Sequence, residues 1–312
     1  MESNMNIPIS SEQRKAKTKR SPFHREANVS GWLFVSPMVL GFLVLLLGPL
    51  LLAFYMSLTD WPLLGEPTFV GLDNYKTIFS DEEFWRVVGN TFTFAAGLVP
   101  LNIVLALGLA LLLARKLPGI GIFRTAIFVP VMTSLIVWAI VWKYLFATDT
   151  GFINQILQLF GITGPAWLYN PQLAMPVVIV TSVLKNVGLN MVLFIAALQQ
   201  VPVHLYEAAR IDGAGRARQF FQITVPMISP TLFLTTLLTI IGSLKVFGQI
   251  YVMTQGGPGD STKVLVYYIW EKAFKNFEFG YASALAFVLF FIILVFTLLQ
   301  WQYRKRWVFH EE

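Results

Sequence analysis

Read as a sequence, the chain is an all-α membrane protein of six transmembrane helices, and three observations say so. Its mean hydropathy is +0.64, and 56% of its residues are hydrophobic while only 13% are charged, against roughly a quarter charged in soluble domains. Six apolar runs are each long enough to cross about 30 Å of hydrocarbon as a helix. Lysine and arginine gather in alternate connections between those runs, the asymmetry that cytoplasmic loops carry.

The elements follow in order. The first run, Trp32 to Leu58, is too long and too far from the N-terminus for an obvious cleaved signal peptide, and no small-residue cleavage site stands out after it, so it is expected to remain as an anchor. The others are Phe92 to Leu113, Thr125 to Trp142, Leu173 to Leu198, Ile228 to Met253 and Tyr281 to Trp301. Residues 1–30, rich in Ser, Lys, Arg, Glu and Asn, have little to bury and are expected to form a basic cytoplasmic tail, disordered or lying on the inner surface. Residues 31–308 form the six-helix membrane domain, and residues 309–312 a C-terminal tail.

Basic residues fix the orientation. Arg14, Lys15, Lys17, Lys19, Arg20 and Arg25 precede the first span; Arg115, Lys116 and Arg124 lie between spans two and three; Arg210, Arg216 and Arg218 between four and five; Arg304, Lys305 and Arg306 after six. These segments, and both termini with them, are expected in the cytoplasm. The loop after the first span is acidic (Asp60, Glu66, Asp73, Asp81, Glu82, Glu83), and residues 148–171 hold Asp149 and no base. Both face outward. The last external loop, 255–280, is balanced in charge, and the parity of the six spans assigns its side. The net charge of +6 then needs no nucleic acid, because sidedness and anionic lipid account for it and no basic and aromatic residues interleave outside the membrane flanks.

Between spans four and five lies a polar, amphipathic insert, EAARIDGAGRARQFFQITVPMISP, from Glu207 to Pro230. Pro202 suits a helix start, Leu205, Ala208 and Ala209 recur at helical spacing, and Asp212-Gly213 forms a turn. A second short helix is expected to set Ala217, Phe220, Phe221 and Thr224 against Arg216, Arg218 and Gln219, before Pro226 and Pro230 interrupt it. Small residues at Ala208, Ala209, Gly213, Ala214 and Gly215 would let another surface approach the backbone. By pattern alone the insert is either a docking element or a helix pair lying on the membrane interface.

Chemistry of other kinds finds no foothold. There is no cysteine, and His24, His204 and His310 are far apart, so neither a metal nor a catalytic centre is expected. No phosphate-binding Gly-x-x-x-x-Gly-Lys-Ser/Thr string is present. The nearest lookalike, Gly256 to Lys263, has the wrong residue order and an external address.

The insert resembles the EAA signature of binding-protein-dependent ABC importer permeases, matching at Glu207, Ala208, Ala209, Asp212, Gly213, Ala214, Ile223 and Pro226. Stretches 69–79, 84–92, 124–130, 251–258 and 281–286 are similar to the carbohydrate-uptake, maltose-type branch, and the resemblance covers residues 30–308. It implies the type I importer permease fold in a bacterial-type inner membrane, with coupling helices at 202–226 that fit a cleft in a cytoplasmic ATPase through Glu207, Ala208, Ala209, Asp212, Gly213, Ala214 and Arg216. It also implies a second homologous permease, expected to be a different chain, together with two ATPase subunits that hold ATP and Mg and an extracytoplasmic solute-binding protein. No cofactor is expected in this chain. The 251–258 stretch closes a helix by turning, and a contact with the docked binding protein stays open.

Polar residues within spans are costly and usually face a cavity or a partner helix. Ser182, Lys185, Asn186, Leu189 and Asn190 of span four, with Thr239, Gly242, Ser243 and Lys245 of span five, are therefore the expected substrate pathway, matching the family's sugar-contacting faces by spacing and not by identity. Gly248 departs from an Asp common in this branch. Each polar group has an alternative as a packing contact, and the two lysines could reach helix carbonyls, sit near cavity water, or help an acidic sugar (an oligouronate) or a sugar phosphate to pass. An ion-coupled secondary carrier would need inverted repeats and coupling-ion residues, and neither is visible.

Overall fold

The computed structural model describes residues 22–62, 65–115 and 118–307, and the chain divides into two compact units, residues 1–53 and 54–312. The extreme tails of the sequence reading lie outside the described residues, although helix begins at Pro22, within the stretch expected to be tail.

In the first unit α1 (Pro22–Phe42) passes through a π-helical turn, Leu43–Leu47, into α2 (Gly48–Ser57). The π turn immediately precedes Gly48-Pro49. Proline has no N–H for the carbonyl four residues back and its ring collides with it, and a wider turn moves that carbonyl aside; the Gly48 N–H bonds instead to Leu43 O.

The second unit begins with the end of α2 and a small antiparallel pair that the all-helical reading did not include, β1 (Thr59–Asp60) against β2 (Thr68–Phe69). α3 (Asp73–Ser80) leads to α4 (Glu82–Leu113), which starts ten residues before its apolar run because the Asp81 carboxylate caps it, accepting from Glu83 N at 2.8 Å.

Span three is not one straight helix. α5 (Ile120–Met132) and α6 (Leu135–Leu145) are bent by 101° at Thr133-Ser134, and Lys185 of a neighbouring helix satisfies the carbonyls that the break exposes. A short α7 (Phe152–Leu159) follows, then α8 (Pro171–Gln200), the most buried of the spans, capped by Asn170. Gly188 of α8 meets the backbone of α5 so closely that a Cβ there would strike Ile127 O.

The insert folds as α9 (Val203–Ile211) and α10 (Arg216–Gln219), but α10 is not a separate helix. It continues through a second π turn, Phe220–Thr224, into α11 (Val225–Leu244), so Pro226 and Pro230 do not interrupt it. The device of the first unit recurs: the π turn sits just before Val225-Pro226, and the Val225 N–H bonds to Phe220 O. Span five, expected to reach Met253, ends at Leu244; residues 245–247 break it before α12 (Gly248–Met253). α13 (Leu265–Phe274) and α14 (Phe279–Trp307) complete the chain.

Among the described residues five helices are long and apolar enough to cross a membrane, and the bent α5–α6 pair makes six. The small side chains of Ala106 and Ala110 on α4 receive Val187, Met191, Phe194 and Ile195 of α8. Phe84 and Val87 of α4 pack with Leu265 and Tyr268 of α13 and Ala284 and Leu285 of α14. Large apolar side chains such as Leu112, Phe291 and Leu298 point outward, as suits helices whose solvent is lipid.

Candidate functional site

A cavity of about 470 Å³ opens in the second unit, walled by α4, α6, α8, α11, the 245–247 break and α12. α8 contributes Asn186, Leu189, Asn190 and Leu193; α11 contributes Leu238, Thr239, Gly242 and Ser243; the break and α12 contribute Lys245, Val246, Phe247, Gly248 and Gln249. Phe94, Leu98 and Leu135 supply the remaining apolar wall. Asparagine and threonine tolerate this depth because they bond one another: Asn190 Nδ2 donates to Asn102 Oδ1 at 2.6 Å and to Thr239 Oγ1 at 3.0 Å. Thr239 and Ser243 also bond back to their own helix, to Thr235 O and Ile240 O. Asn186 Nδ2 donates to Ser182 O at 2.8 Å.

The residues expected to form the pathway are sorted by this geometry. Asn186, Leu189, Asn190, Thr239, Gly242, Ser243 and Lys245 line the cavity, whereas Ser182 and Lys185 do not. The Ser182 hydroxyl lies 2.6 Å from Val178 O and 2.5 Å from Gln249 Oε1. Lys185, 7% exposed, donates to Pro130 O at 2.5 Å, Thr133 O at 2.7 Å and Val131 O at 3.2 Å, which makes it the cap of the α5–α6 break. One polar group escaped sequence reasoning, Asn102, the partner of Asn190 on α4; Gln249, a polar residue legible in the fifth apolar run, is 4% exposed in the cavity wall. A single amide within an otherwise apolar run was the signal available for Asn102.

The insert presents a second surface. Tyr206 Oη and Thr224 Oγ1, 2.9 Å apart, tie α9 to the π turn, and Tyr206 packs on Ala197, Val201 and Ile228. Gly213 has φ +77°, a left-handed turn that glycine adopts without cost, and its N–H bonds to Arg210 O while Ala214 N bonds to Ala209 O. Gln219 Nε2 holds Ala214 O at 2.9 Å. Glu207, Ala208, Asp212, Gly213 and Arg216 are exposed and Ala209 and Ala214 half-buried. Beside them Ile211 is 87% exposed, an apolar group on an otherwise polar face.

On the side expected to face outward, the glycine-rich string folds as a closed turn. Lys263, 8% exposed, pairs with Glu83 at 2.8 Å, Asp260 at 2.9 Å and Glu271 at 2.9 Å. Asn90 Nδ2 donates to Asp260 O and Lys263 O, which pins the turn to α4. Burial alone would pull the Lys263 ammonium down, but the hydrogen bonds it donates to three carboxylates outweigh it and hold the group above the ordinary lysine range. Asp81 shows the mirror case. Burial would raise its carboxyl, and the Glu83 N–H with the Tyr268 and Tyr281 hydroxyls brings it below the usual carboxylate range.

Comparison with known proteins gives a consistent result. The family model for "binding-protein-dependent transport system inner membrane component" matches residues 102–308. The chain is 35% identical over 298 residues to the probable ABC transporter permease protein YesP of Bacillus subtilis (strain 168), covering 94% of this chain and 96% of that one. It is 36% identical over 292 residues to the lactose transport system permease protein LacF of Rhizobium radiobacter, covering 91% and 97%. A chain in the crystal structure of a bacterial alginate ABC transporter, in complex with its alginate pentasaccharide-bound periplasmic protein, shares the fold with a TM-score of 0.79 at 23% identity, covering 91% of this chain and 96% of that one.

Proposed function

The chain belongs to the binding-protein-dependent transport system inner membrane components, and on that premise we propose that its cavity is half of the alternating-access pathway of an ATP-driven saccharide importer. It is a multi-pass permease of the inner membrane. Relatives named for lactose transport and for arabinooligosaccharide transport support a saccharide as cargo, and so does a cavity of amide and hydroxyl groups beside Phe94 and Phe247, which can hydrogen-bond a sugar and pack against its ring.

One observation carries the mechanism: the insert is framed by the two helices that furnish most of the polar cavity wall. α8 ends at Gln200 and α9 starts at Val203, while α10 runs into α11 without a break in helix. A force applied to Glu207 to Arg216 therefore reaches Asn186 and Asn190 through one arm and Thr239 and Ser243 through the other. The partners that complete this scheme are two cytoplasmic ATPase subunits holding ATP and Mg, a second homologous permease forming a heterodimer with this one, and an extracytoplasmic binding protein that makes most of the selection. This chain itself is the non-catalytic part, and it holds no cofactor.

Replacing Asn186 or Ser243 with Leu tests the pathway, because the change removes a polar group and narrows the passage with a branched side chain. Uptake is expected to fall while the chain still co-purifies with its ATPase. Wild-type uptake in both variants would return these residues to helix packing.

A further inference from the structure

We propose that the saccharide crossing this cavity carries an anionic group, a carboxylate, sulfonate or phosphate, received by Lys245 and by the side-chain amide of Gln249. The inference rests on the saccharide-permease reading and adds the charge of the cargo.

The wall of the cavity is electrically one-sided. Lys245 is its single charged residue, and no aspartate or glutamate lines it. Lys245 is exposed, and among the described residues its ammonium makes no hydrogen bond or ion pair, unlike the other lysines of the spans. Lys185 is spent on three carbonyls and Lys143 on Val252 O. A cation at the edge of a low-dielectric passage is costly unless something compensates it. The C-terminal end of α11, where Lys245 stands, offers only about half an elementary charge. About half of the ammonium charge is left for whatever occupies the cavity.

Gln249 points the same way by a separate observation. Its Oε1 is engaged by the Ser182 hydroxyl, which leaves Nε2, a donor by nature, pointing away from that bond. That nitrogen is buried, faces no acceptor and belongs to a residue lining the cavity. A buried donor without an acceptor is a standing penalty that an incoming oxygen relieves. Lys245 and Gln249 lie four positions apart across the helix break, so a cation and an amide donor flank the same kink. The α8 side adds the amides of Asn186 and Asn190: Asn190 spends both N–H groups on the protein and Asn186 one, so side-chain oxygens of both residues can accept from a ligand. The cavity therefore offers amide groups on one wall and a donor with a positive charge on the other. A neutral sugar's oxygens can accept from the second wall as well, and only an anionic group adds charge attraction to Lys245.

The test uses the complete importer in proteoliposomes and three pairs of labelled probes: trigalacturonate against galactotriose, sulfoquinovose against glucose, and glucose 6-phosphate against glucose. We expect at least one anionic member to be taken up ten-fold or more faster than its neutral counterpart. Lys245→Gln and Gln249→Leu should each lower that anion-to-neutral ratio ten-fold or more, and Lys245→Arg should largely restore it. Co-purification with the partner subunits confirms assembly of each variant. The pair that responds identifies which anionic group is read. Uptake of neutral sugars with no anionic preference, or an unchanged ratio in Lys245→Gln, overturns the inference and leaves the saccharide-permease reading standing. Failure of every saccharide to be carried overturns both.

Discussion

Lysines show how one residue type serves opposite ends in this chain. Lys185 is placed among backbone carbonyls, so Lys185→Met strands Pro130, Val131 and Thr133 oxygens at the bend, at about 1–3 kcal/mol for each group left unsatisfied. The purified complex should melt several degrees lower or fail to accumulate, whereas Lys245→Met should melt like wild type. Equal melting points for the two would remove the capping role. Lys263 is held by three carboxylates, and Lys263→Met should cost toward the lower end of the roughly 3–5 kcal/mol of a broken buried pair, because its partners are partly exposed. The pH dependence follows from the signs of the shifts. Lys263, raised in the folded chain, contributes fully below the ordinary 10.5 and loses its contribution as pH climbs through the higher folded value. Asp81, lowered, contributes fully above 3.8 and loses its contribution as pH falls through its folded value. Thermal melts should therefore show both contributions intact between these limits, with the Lys263→Met difference shrinking at strongly alkaline pH. The sequence marked Lys185 and Lys245 alike as intramembrane cations, since what separates them is the carbonyl cluster at a break 52–55 residues earlier in the chain for one and an open cavity for the other.

At the level of elements, apolar run length located every span, because desolvated backbone forces helix whatever the side chains. It failed at the ends and joints. α4 begins among Glu82, Glu83 and Arg86, which no hydropathy run includes, because a capping Asp81 starts the helix. The bend between α5 and α6 falls inside an uninterrupted apolar run, and the residue that stabilises it lies on another helix. Pro226 was read as a breaker, yet a π turn absorbs it, as another absorbs Pro49. The left-handed turn at Gly213 was legible, because Asp-Gly after a helical pattern has few other uses. Gly213→Pro removes the N–H bound to Arg210 O and cannot reach φ +77°, a cost of about 3 kcal/mol or more at this joint. Gly213→Asn keeps both the N–H and access to the left-handed region. Substrate-stimulated ATP hydrolysis should collapse in the first and largely survive in the second; full coupling in Gly213→Pro would separate the turn from the ATPase.

The whole molecule is a membrane-embedded permease, and at that scale the EAA insert, its flanking spans and the sidedness of basic residues all agreed before any coordinates were considered. The cavity itself was half legible. Seven of the nine expected residues meet in it, being Asn186, Leu189, Asn190, Thr239, Gly242, Ser243 and Lys245, but helical spacing cannot tell which polar residue turns into a void and which, like Ser182, turns to its own backbone. An accessible tag placed after Asp149 should label from outside and one at Gly215 only from inside, and reversed labelling would invert the coupling scheme. The account depends most on the claim that ATP hydrolysis at the insert drives passage through the cavity. The most direct measurement is uptake of labelled saccharide into proteoliposomes containing this chain, its partner permease, the ATPase and the binding protein, with ATP or an ion gradient supplied separately. The account predicts accumulation with ATP alone, lost in Glu207→Ala and Gly213→Pro; accumulation driven by the ion gradient without ATP, or undiminished in both variants, would contradict it.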